Sequence, residues 1–517
     1  MGKSNKADSH DACANSTIFW ITVPCLVCFV AYLLQPLIFR PSRHLWFGDP
    51  EGMSKAKSID WKILVTSVAV AYTGESNHQE EEEVRNLVVR EASKLRQPVI
   101  LKDSPVNEWP AIKLWADDAY LASKIPKLEG VKQQSSKLFV YHTGRHYTKY
   151  SGFGDTVHKY PYGTASEVSV EDFLTRELNM QYSQRLGLEE TNDFGKNEIL
   201  PLDGDALPRK FLRVDNTPEA HNVFWLGQPN TTTSVHYDLH HNFVTQVRGT
   251  RRFILYPPSA SASLVPHPYH HPRYRQSQLY YVETGASSFW GDIAREPVVA
   301  DLEPGDLLYV PPFWWHRVES NSKGPSIQVN TWSTSDEISA FNGLVTSKPP
   351  KWILKLWGSK RVVPFAKQYV LDVVTEVQKL FPSHFNAKGG PEEFIGEIVQ
   401  TKYLSKGLTP RLIDLEPYFE CADWKESSCP KKSTIIQSDR GKLKQAAQSL
   451  ADKFYSTIYA NVTNPSDLDP QVADHYAGVV RTTLSDFVEN QLFTLLASKE
   501  QHGSVCSIMR CMALYAS

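Results

Sequence analysis

From Leu138 to about Asp336 the chain is written in short β-branched and aromatic runs broken by Gly and Pro. Runs of this length cannot bury an apolar face alone, so they pair with one another as a sandwich or barrel. Residues 243–248 and 251–256 flank Gly249-Thr250, which predicts a hairpin. Residues 307–310, 314–319 and 326–332 add three further strands. Upstream, an acidic start at Glu80 to Glu83 leads into Val84, Leu87, Val88 and Ala92 at helical spacing, which predicts a first helix over 79–95. Residues 97–101 read as a buried strand, and Trp109, Pro110 and Trp115 lead into another helix. Beyond residue 340 the pattern turns helical: residues 474–499 place Val479, Val480, Leu484, Phe487, Val488, Phe493, Leu495 and Leu496 on one broad apolar face.

Within the β-rich part, His236-Tyr237-Asp238 and His316 fall at predicted strand ends some eighty residues apart. A double-stranded β-helix brings such positions together. Two imidazoles and one carboxylate can occupy one face of an octahedral ion and leave the other positions open, the ligand set of non-haem Fe(II) oxygenases. A lone His-x-Asp is a weak signal. Its weight comes from Thr233, Asn242, Arg251, Asn330 and Trp332, which fall at intervals suited to lining one pocket. His270 and His271 are neighbours that point in opposite directions on a strand, so a packing role is expected for them. Asp306 follows a Pro-Gly turn and reads as a turn residue.

Thr233-Ser234-Val235-His236-Tyr237-Asp238, Asn242-Phe243 through Gly249, and Phe253-Ile254-Leu255-Tyr256-Pro257-Pro258 closely resemble the JmjC/cupin-type 2-oxoglutarate oxygenases, nearest in motifs to their asparaginyl hydroxylases. The likeness runs over roughly residues 95–335 and includes Pro268-Tyr269-His270-His271-Pro272, Arg275-Gln276-Ser277-Gln278, Trp314-Trp315-His316 and Asn330-Thr331-Trp332. The resemblance implies an all-β double-stranded β-helix (jelly-roll or cupin) core with flanking helices. It makes His236, Asp238 and His316 ligands of Fe(II), gives Thr233, Asn242 and Asn330 to 2-oxoglutarate with Trp332 packing nearby, and sets Arg275 and Gln276 on the substrate side chain. Dioxygen is the co-reactant, and no separate acid or base is nominated. Where the family has lysine for the far carboxylate of 2-oxoglutarate, this chain has Arg251, which can bind a carboxylate bidentately but needs more room. The expected activity is protein side-chain hydroxylation on a protein or peptide substrate. Its alternatives are N-methyl-lysine demethylation and an inactive binding scaffold.

At 517 residues, two or three domains fit. The expected division is a tail over 1–16, a membrane-spanning helix over 17–39, a linker over 40–80, a catalytic domain over 81–340 and a helical region over 341–517. Residues 17–39 carry no charge and are long enough to cross a bilayer, so a single-pass membrane placement, as in the endoplasmic reticulum, is expected. Lys3 and Lys6 before the span balance Arg40 and Arg43 after it, so the positive-inside rule favours neither orientation. Asn230-Thr231-Thr232 and Asn461-Val462-Thr463 read as glycosylation sequons and lean to the lumenal side. Cys421, Cys429, Cys506 and Cys511 fit two disulfides or four reduced thiols equally well. A net charge of −2 gives no reason to expect a nucleic-acid partner. Pairing of two chains through the C-terminal helices is expected from the same resemblance.

Overall fold

The apolar runs pair into two sheets that face each other, with the candidate site between them. The computed structural model describes residues 54–62, 78–134, 137–139, 163–186, 198–214, 221–279, 297–356, 362–404, 435, 437–496 and 509–512, with short breaks at 177, 272 and 386–388. Its strands, in chain order, are β1 Ser54–Lys55, β2 Lys57–Asp60, β3 Val99–Lys102, β4 Lys127–Gln133, β5 Leu138–Phe139, β6 Gly163–Ser169, β7 Met180–Leu186, β8 His221–Gly227, β9 Thr232–Tyr237, β10 His241–Arg248, β11 Arg251–Tyr256, β12 Val298–Leu302, β13 Leu307–Val310, β14 Trp315–Ser320 and β15 Ser326–Ser333. The smaller sheet has the order β1-β12-β11-β14-β9-β5, and the larger β2-β3-β13-β10-β15-β8-β7-β4-β6. This is the expected jelly-roll core.

Alternation along the strands divides the core in two. On β10, Phe243 and Val247 face outward into a cluster with Trp109, Trp115, Phe224 and Tyr309, while Val244 faces inward to Phe253, Leu255, Leu308, Val310 and Trp314. The outer cluster is closed by the helix α1 His78–Lys94 and by the short helices at Ala111–Leu114 and Asp118–Lys124. The inner cluster fills one end of the space between the sheets and leaves the other end for the site.

Gly249-Thr250 does not close a hairpin. β10 pairs with β13 and β15 in the larger sheet, whereas β11 pairs with β12 and β14 in the smaller one. The turn is a corner where the chain changes sheet. Gly249 has φ +68°, and a Cβ there would stand 2.8 Å from Ser322 Oγ, so glycine is required at this corner. Hairpin and corner share the same local signal, because both need a tight turn between two apolar runs.

After the barrel come α2 Asp336–Val345, α3 Val362–Leu380, α4 Pro391–Val399, α5 Gln437–Ile458 and α6 Pro470–Leu496. Ser335 caps α2 by accepting from the N–H of Ile338. The apolar face of α6 is spent inside the chain: Val479, Val480, Leu484, Phe487, Val488, Leu492 and Leu495 are all fully buried.

The expected single-pass membrane placement is corrected here. No helix among the described residues is long and apolar enough to cross a membrane. α6 is long enough at 27 residues, but it carries Asp474, Arg481, Asp486 and Glu489. The stretch 17–39 itself lies outside the described residues. Cys511 is disulfide-bonded, and the other three C-terminal cysteines lie outside the described residues.

Candidate active site

β9 runs antiparallel to β14 with His236 opposite His316 and Thr233 opposite Val318. Between these pairs Ser234 and Val235 face the single residue Arg317, which is a bulge. Thr233 and His236 are three residues apart and would lie on opposite faces of a regular strand. The extra residue of the bulge turns both toward the interior, beside His316. Asp238 follows directly after the strand, and its carbonyl accepts from the N–H of Phe313 at 2.7 Å, which ties the two halves of the motif together.

The candidate ligand atoms of His236, Asp238 and His316 all lie within 4.8 Å of one another. His316 Nε2 is 4.0 Å from Asp238 Oδ2. Each imidazole is oriented by the backbone two residues earlier: His236 Nδ1 is 2.7 Å from the carbonyl of Ser234, and His316 Nδ1 is 2.9 Å from that of Trp314. A carbonyl can only accept, so each Nδ1 carries the proton and each Nε2 presents its lone pair as a ligand would. Burial, followed by the neighbouring His316, pushes His236 down to about 4, and burial also lowers His316. For Asp238, burial pushes upward but is outweighed by His236, Arg275 and His316, and the net shift is down. At neutral pH the set is two neutral imidazoles and a carboxylate, the protonation state a divalent metal needs.

A cavity of about 190 Å³ opens from these three residues, and Thr233, Asn242, Arg251, Arg275, Gln276, Asn330 and Trp332 all line it. Arg251 points inward and is 7% exposed, whereas Arg252 points outward to Asp301 at 2.6 Å, as alternation requires. The guanidinium is braced by Ser326, with Nε 2.9 Å from its Oγ and Nη2 3.3 Å from its carbonyl. The room that an arginine needs is found at Gly227, where a Cβ would stand 3.1 Å from Nη2. On the facing strands Gln328 Nε2 donates to Asn330 Oδ1 at 2.8 Å, and Asn330 Nδ2 donates to Asn242 Oδ1 at 3.1 Å. Trp332 Nε1 and Gln328 Oε1 are buried in this wall without a hydrogen-bond partner, which suits a polar occupant. A buried cation, amides and three metal-type donors on one cavity fit Fe(II) together with a dicarboxylate.

The site also contains residues with no place in the motifs read from sequence: Gln181, Trp225, Tyr274 and Gln328. Gln328 was within reach, since it lies two residues before Asn330 on β15 and so shares its face. Tyr274 carries no such signal. His270 is a packing residue, its ring 4.0 Å from that of Phe493. Asp306 is held in its turn by Lys102 at 2.6 Å.

These buried imidazoles make the metal-free protein acid-sensitive. Burial, then Arg96, pushes His241 down to about 3, alongside His236 at about 4. The unfolded chain binds these protons near pH 6.5, so their contribution is complete above that value and is lost as pH falls toward 4 and 3. Glu489 opposes them: burial pushes it up to about 7, so its contribution fades as pH rises from its ordinary range toward 7. The two histidines outweigh the one carboxyl. Urea unfolding of metal-free protein is expected to lose about 1–2 kcal/mol in all between pH 7 and pH 5, the two imidazoles each losing about 2 kcal/mol and Glu489 returning about 2 kcal/mol. An unchanged or higher midpoint at pH 5 would contradict this account.

Residues 85–336 match the cupin-like domain family, a segment that runs from α1 to α2 and takes in all three candidate ligands. Over 248 residues the chain is 27% identical to Jumonji C domain-containing protein 5 of Drosophila melanogaster, which is 46% of this chain and 54% of that protein. It is 30% identical over 118 residues to Lysine-specific demethylase JMJ31 of Arabidopsis thaliana, 22% of this chain and 21% of that protein. A third relative, human tRNA wybutosine-synthesizing protein 5, is 25% identical over 255 residues, 45% of this chain and 70% of that protein. The chain therefore spans about half of the length of the fly protein and about a fifth of the plant one. From the match over this segment and the two facing sheets that carry it, residues 85–336 form a cupin-like domain, similar in sequence to part of a JmjC domain-containing protein.

Proposed function

We propose that the chain is an Fe(II)- and 2-oxoglutarate-dependent dioxygenase that hydroxylates a C–H bond on a side chain of a protein or peptide. The observation that carries this reading is one cavity with His236, Asp238 and His316 at one place on its wall and the buried cation Arg251 at another. His236, Asp238 and His316 would hold the iron, while Thr233, Asn242, Asn330 and Arg251 would hold 2-oxoglutarate. With both bound and dioxygen present, the centre supplies the oxidation of an unactivated C–H bond. The chain's own part is to orient and to exclude water. Arg251 takes the far carboxylate, the amides of Asn242 and Asn330 take the polar middle, and Trp332, Phe253 and Val318 form dry walls.

Arg275 stands 3.3 Å from Asp238, so a cation enters the substrate side of the site. A guanidinium there repels a cationic target and favours a neutral or acidic one, with Gln276 beside it for an amide. Removal of a lysine N-methyl group is the second reading, supported by the relatives that are named as lysine-specific demethylases. The two share one oxidation and differ in the fate of the product, because a hydroxylated N-methyl carbon leaves as formaldehyde.

The test incubates purified full chain with Fe(II), 2-oxoglutarate and a peptide library, and measures succinate, formaldehyde and mass shifts of one oxygen atom. Succinate with a one-oxygen shift and no formaldehyde is expected. Formaldehyde in proportion to succinate would establish demethylation instead, and no succinate with undiminished metal binding would leave a binding scaffold. Pairing of two chains through the C-terminal helices belongs to the same proposal and is checked by light scattering.

A further inference from the structure

Residues 267–271 and 273–278 form an arm that carries Tyr274, Arg275 and Gln276 to the site, and it is held from two sides. On one side it lies along β9 at the candidate ligands. The N–H of Tyr237 donates to the carbonyl of Arg275 at 3.0 Å, that of Ser277 donates to Val235 at 2.9 Å, and Ser234 Oγ donates to Gln276 Oε1 at 3.1 Å. On the other side its partners come from the helices far downstream. Tyr274 Oη donates to Asp486 Oδ2 at 2.7 Å, Gln278 Nε2 donates to the carbonyl of Lys402 at 2.8 Å, and the N–H of Tyr269 donates to Glu489. Lys402 Nζ lies 2.8 Å from Asp486 Oδ1 and 2.9 Å from Glu489 Oε1, with all three ionisable side chains buried.

Three buried ionisable side chains are a costly way to fill a core, since apolar side chains of similar volume often serve stability as well or better. What these side chains supply is direction: Asp486 gives one oxygen to Lys402 and the other to Tyr274. Arg275 itself has φ +68°, a left-handed conformation that a side-chain-bearing residue keeps only where its surroundings hold it there. Its guanidinium lies 5.9 Å from the Tyr274 ring centre and, through Nη1, 3.3 Å from Asp238 Oδ1.

We propose that Asp486, oriented by Lys402, is a positioning residue for the site: it fixes Tyr274 and thereby sets Arg275 against the carboxylate of Asp238. Helix α6 is then a working part of the site, although it lies outside the family segment 85–336. The proposal rests on the metal-site reading only for the second of two readouts.

The full chain is compared with Asp486→Asn, Tyr274→Phe, Arg275→Met and the Asp486→Asn/Arg275→Met double variant. In metal-free protein, hydrogen exchange at the amides of Tyr237 and Ser277 is expected to quicken about ten-fold in Asp486→Asn and in Tyr274→Phe, with the barrel amides unchanged. With Mn(II) as the probe, Arg275→Met is expected to weaken binding about ten-fold through the lost partner of Asp238. Asp486→Asn should weaken it several-fold alone and add nothing to Arg275→Met. An Asp486→Asn protein with unchanged exchange and Mn(II) affinity would overturn the proposal, as would an Asp486 effect of full size in the Arg275→Met background. If Asp486→Asn does not fold, Tyr274→Phe decides by the same two readouts. A wild-type protein that binds no Mn(II) would end the metal reading, while exchange along the arm still decides this one.

Discussion

Asp238→Ala is expected to abolish metal binding and turnover together, whereas Arg251→Met is expected to keep the metal and lose the cosubstrate. Asp238 is the one carboxylate in the cluster, and its two oxygens serve different neighbours, Oδ1 facing Arg275 and Oδ2 facing His316. Its removal leaves two neutral imidazoles, so the fall in Mn(II) affinity should exceed the roughly 10–100-fold that loss of an outer partner costs. Arg251 acts farther along the cavity. Losing hydrogen bonds to a charged group costs about 1.5–3 kcal/mol, or roughly 10–150-fold in the dissociation constant of 2-oxoglutarate. Calorimetric titration of Mn(II), and then of 2-oxoglutarate into the Mn(II)-loaded protein, separates the two effects. Wild-type Mn(II) affinity in Asp238→Ala would remove the site from consideration, and wild-type 2-oxoglutarate affinity in Arg251→Met would mean that another residue holds the far carboxylate.

Glu337→Ala is expected to cost about 3–5 kcal/mol of stability, because it leaves a buried guanidinium without its carboxylate. Arg96 Nε lies 2.6 Å from Glu337 Oε1, His475 Nε2 lies 3.1 Å from the same oxygen, and the Glu337 and His475 side chains are 0% exposed. Burial pushes the Glu337 carboxyl upward, but Arg96 and His475 outweigh it and hold it well below the usual range. Its stabilisation is therefore present above the unfolded carboxylate pKa and is lost as pH falls, so the gap between wild type and variant should narrow in acid. The loss is large against a total of about 5–15 kcal/mol for an ordinary domain. Urea unfolding at pH 7 measures it. Arg96→Met combined with Glu337→Leu should recover most of the loss, since apolar replacement removes both charges at once. A Glu337→Ala protein within about 1 kcal/mol of wild type would refute the account.

Legibility differed by the range of the interaction. His236, Asp238 and His316 were nominated by their residue types together with the family resemblance, and Asn242, Asn330 and Trp332 by that resemblance and by intervals suited to one pocket, and all six line one cavity. Strand alternation accounts for Arg251 pointing inward and Arg252 outward. Gly249-Thr250 was misread as a hairpin because the turn chemistry is local, while the choice of sheet for β10 and β11 is made by β12, β13, β14 and β15, all of them later in the chain. Tyr274 went unseen because its partner, Asp486, lies more than two hundred residues away.

Sequence by itself determined the β-rich class and nominated His236, Asp238 and His316 as candidate donors, since side-chain chemistry and the two-residue period of an extended chain are properties of the local peptide. Tertiary structure alone decided that Thr233 and His236 share a face across a bulge, that Gly227 makes room for Arg251, and that α6 reaches back to the arm beside Asp238. Each of these depends on which distant segments come within a few ångströms of one another, and no local pattern along the chain encodes that distance.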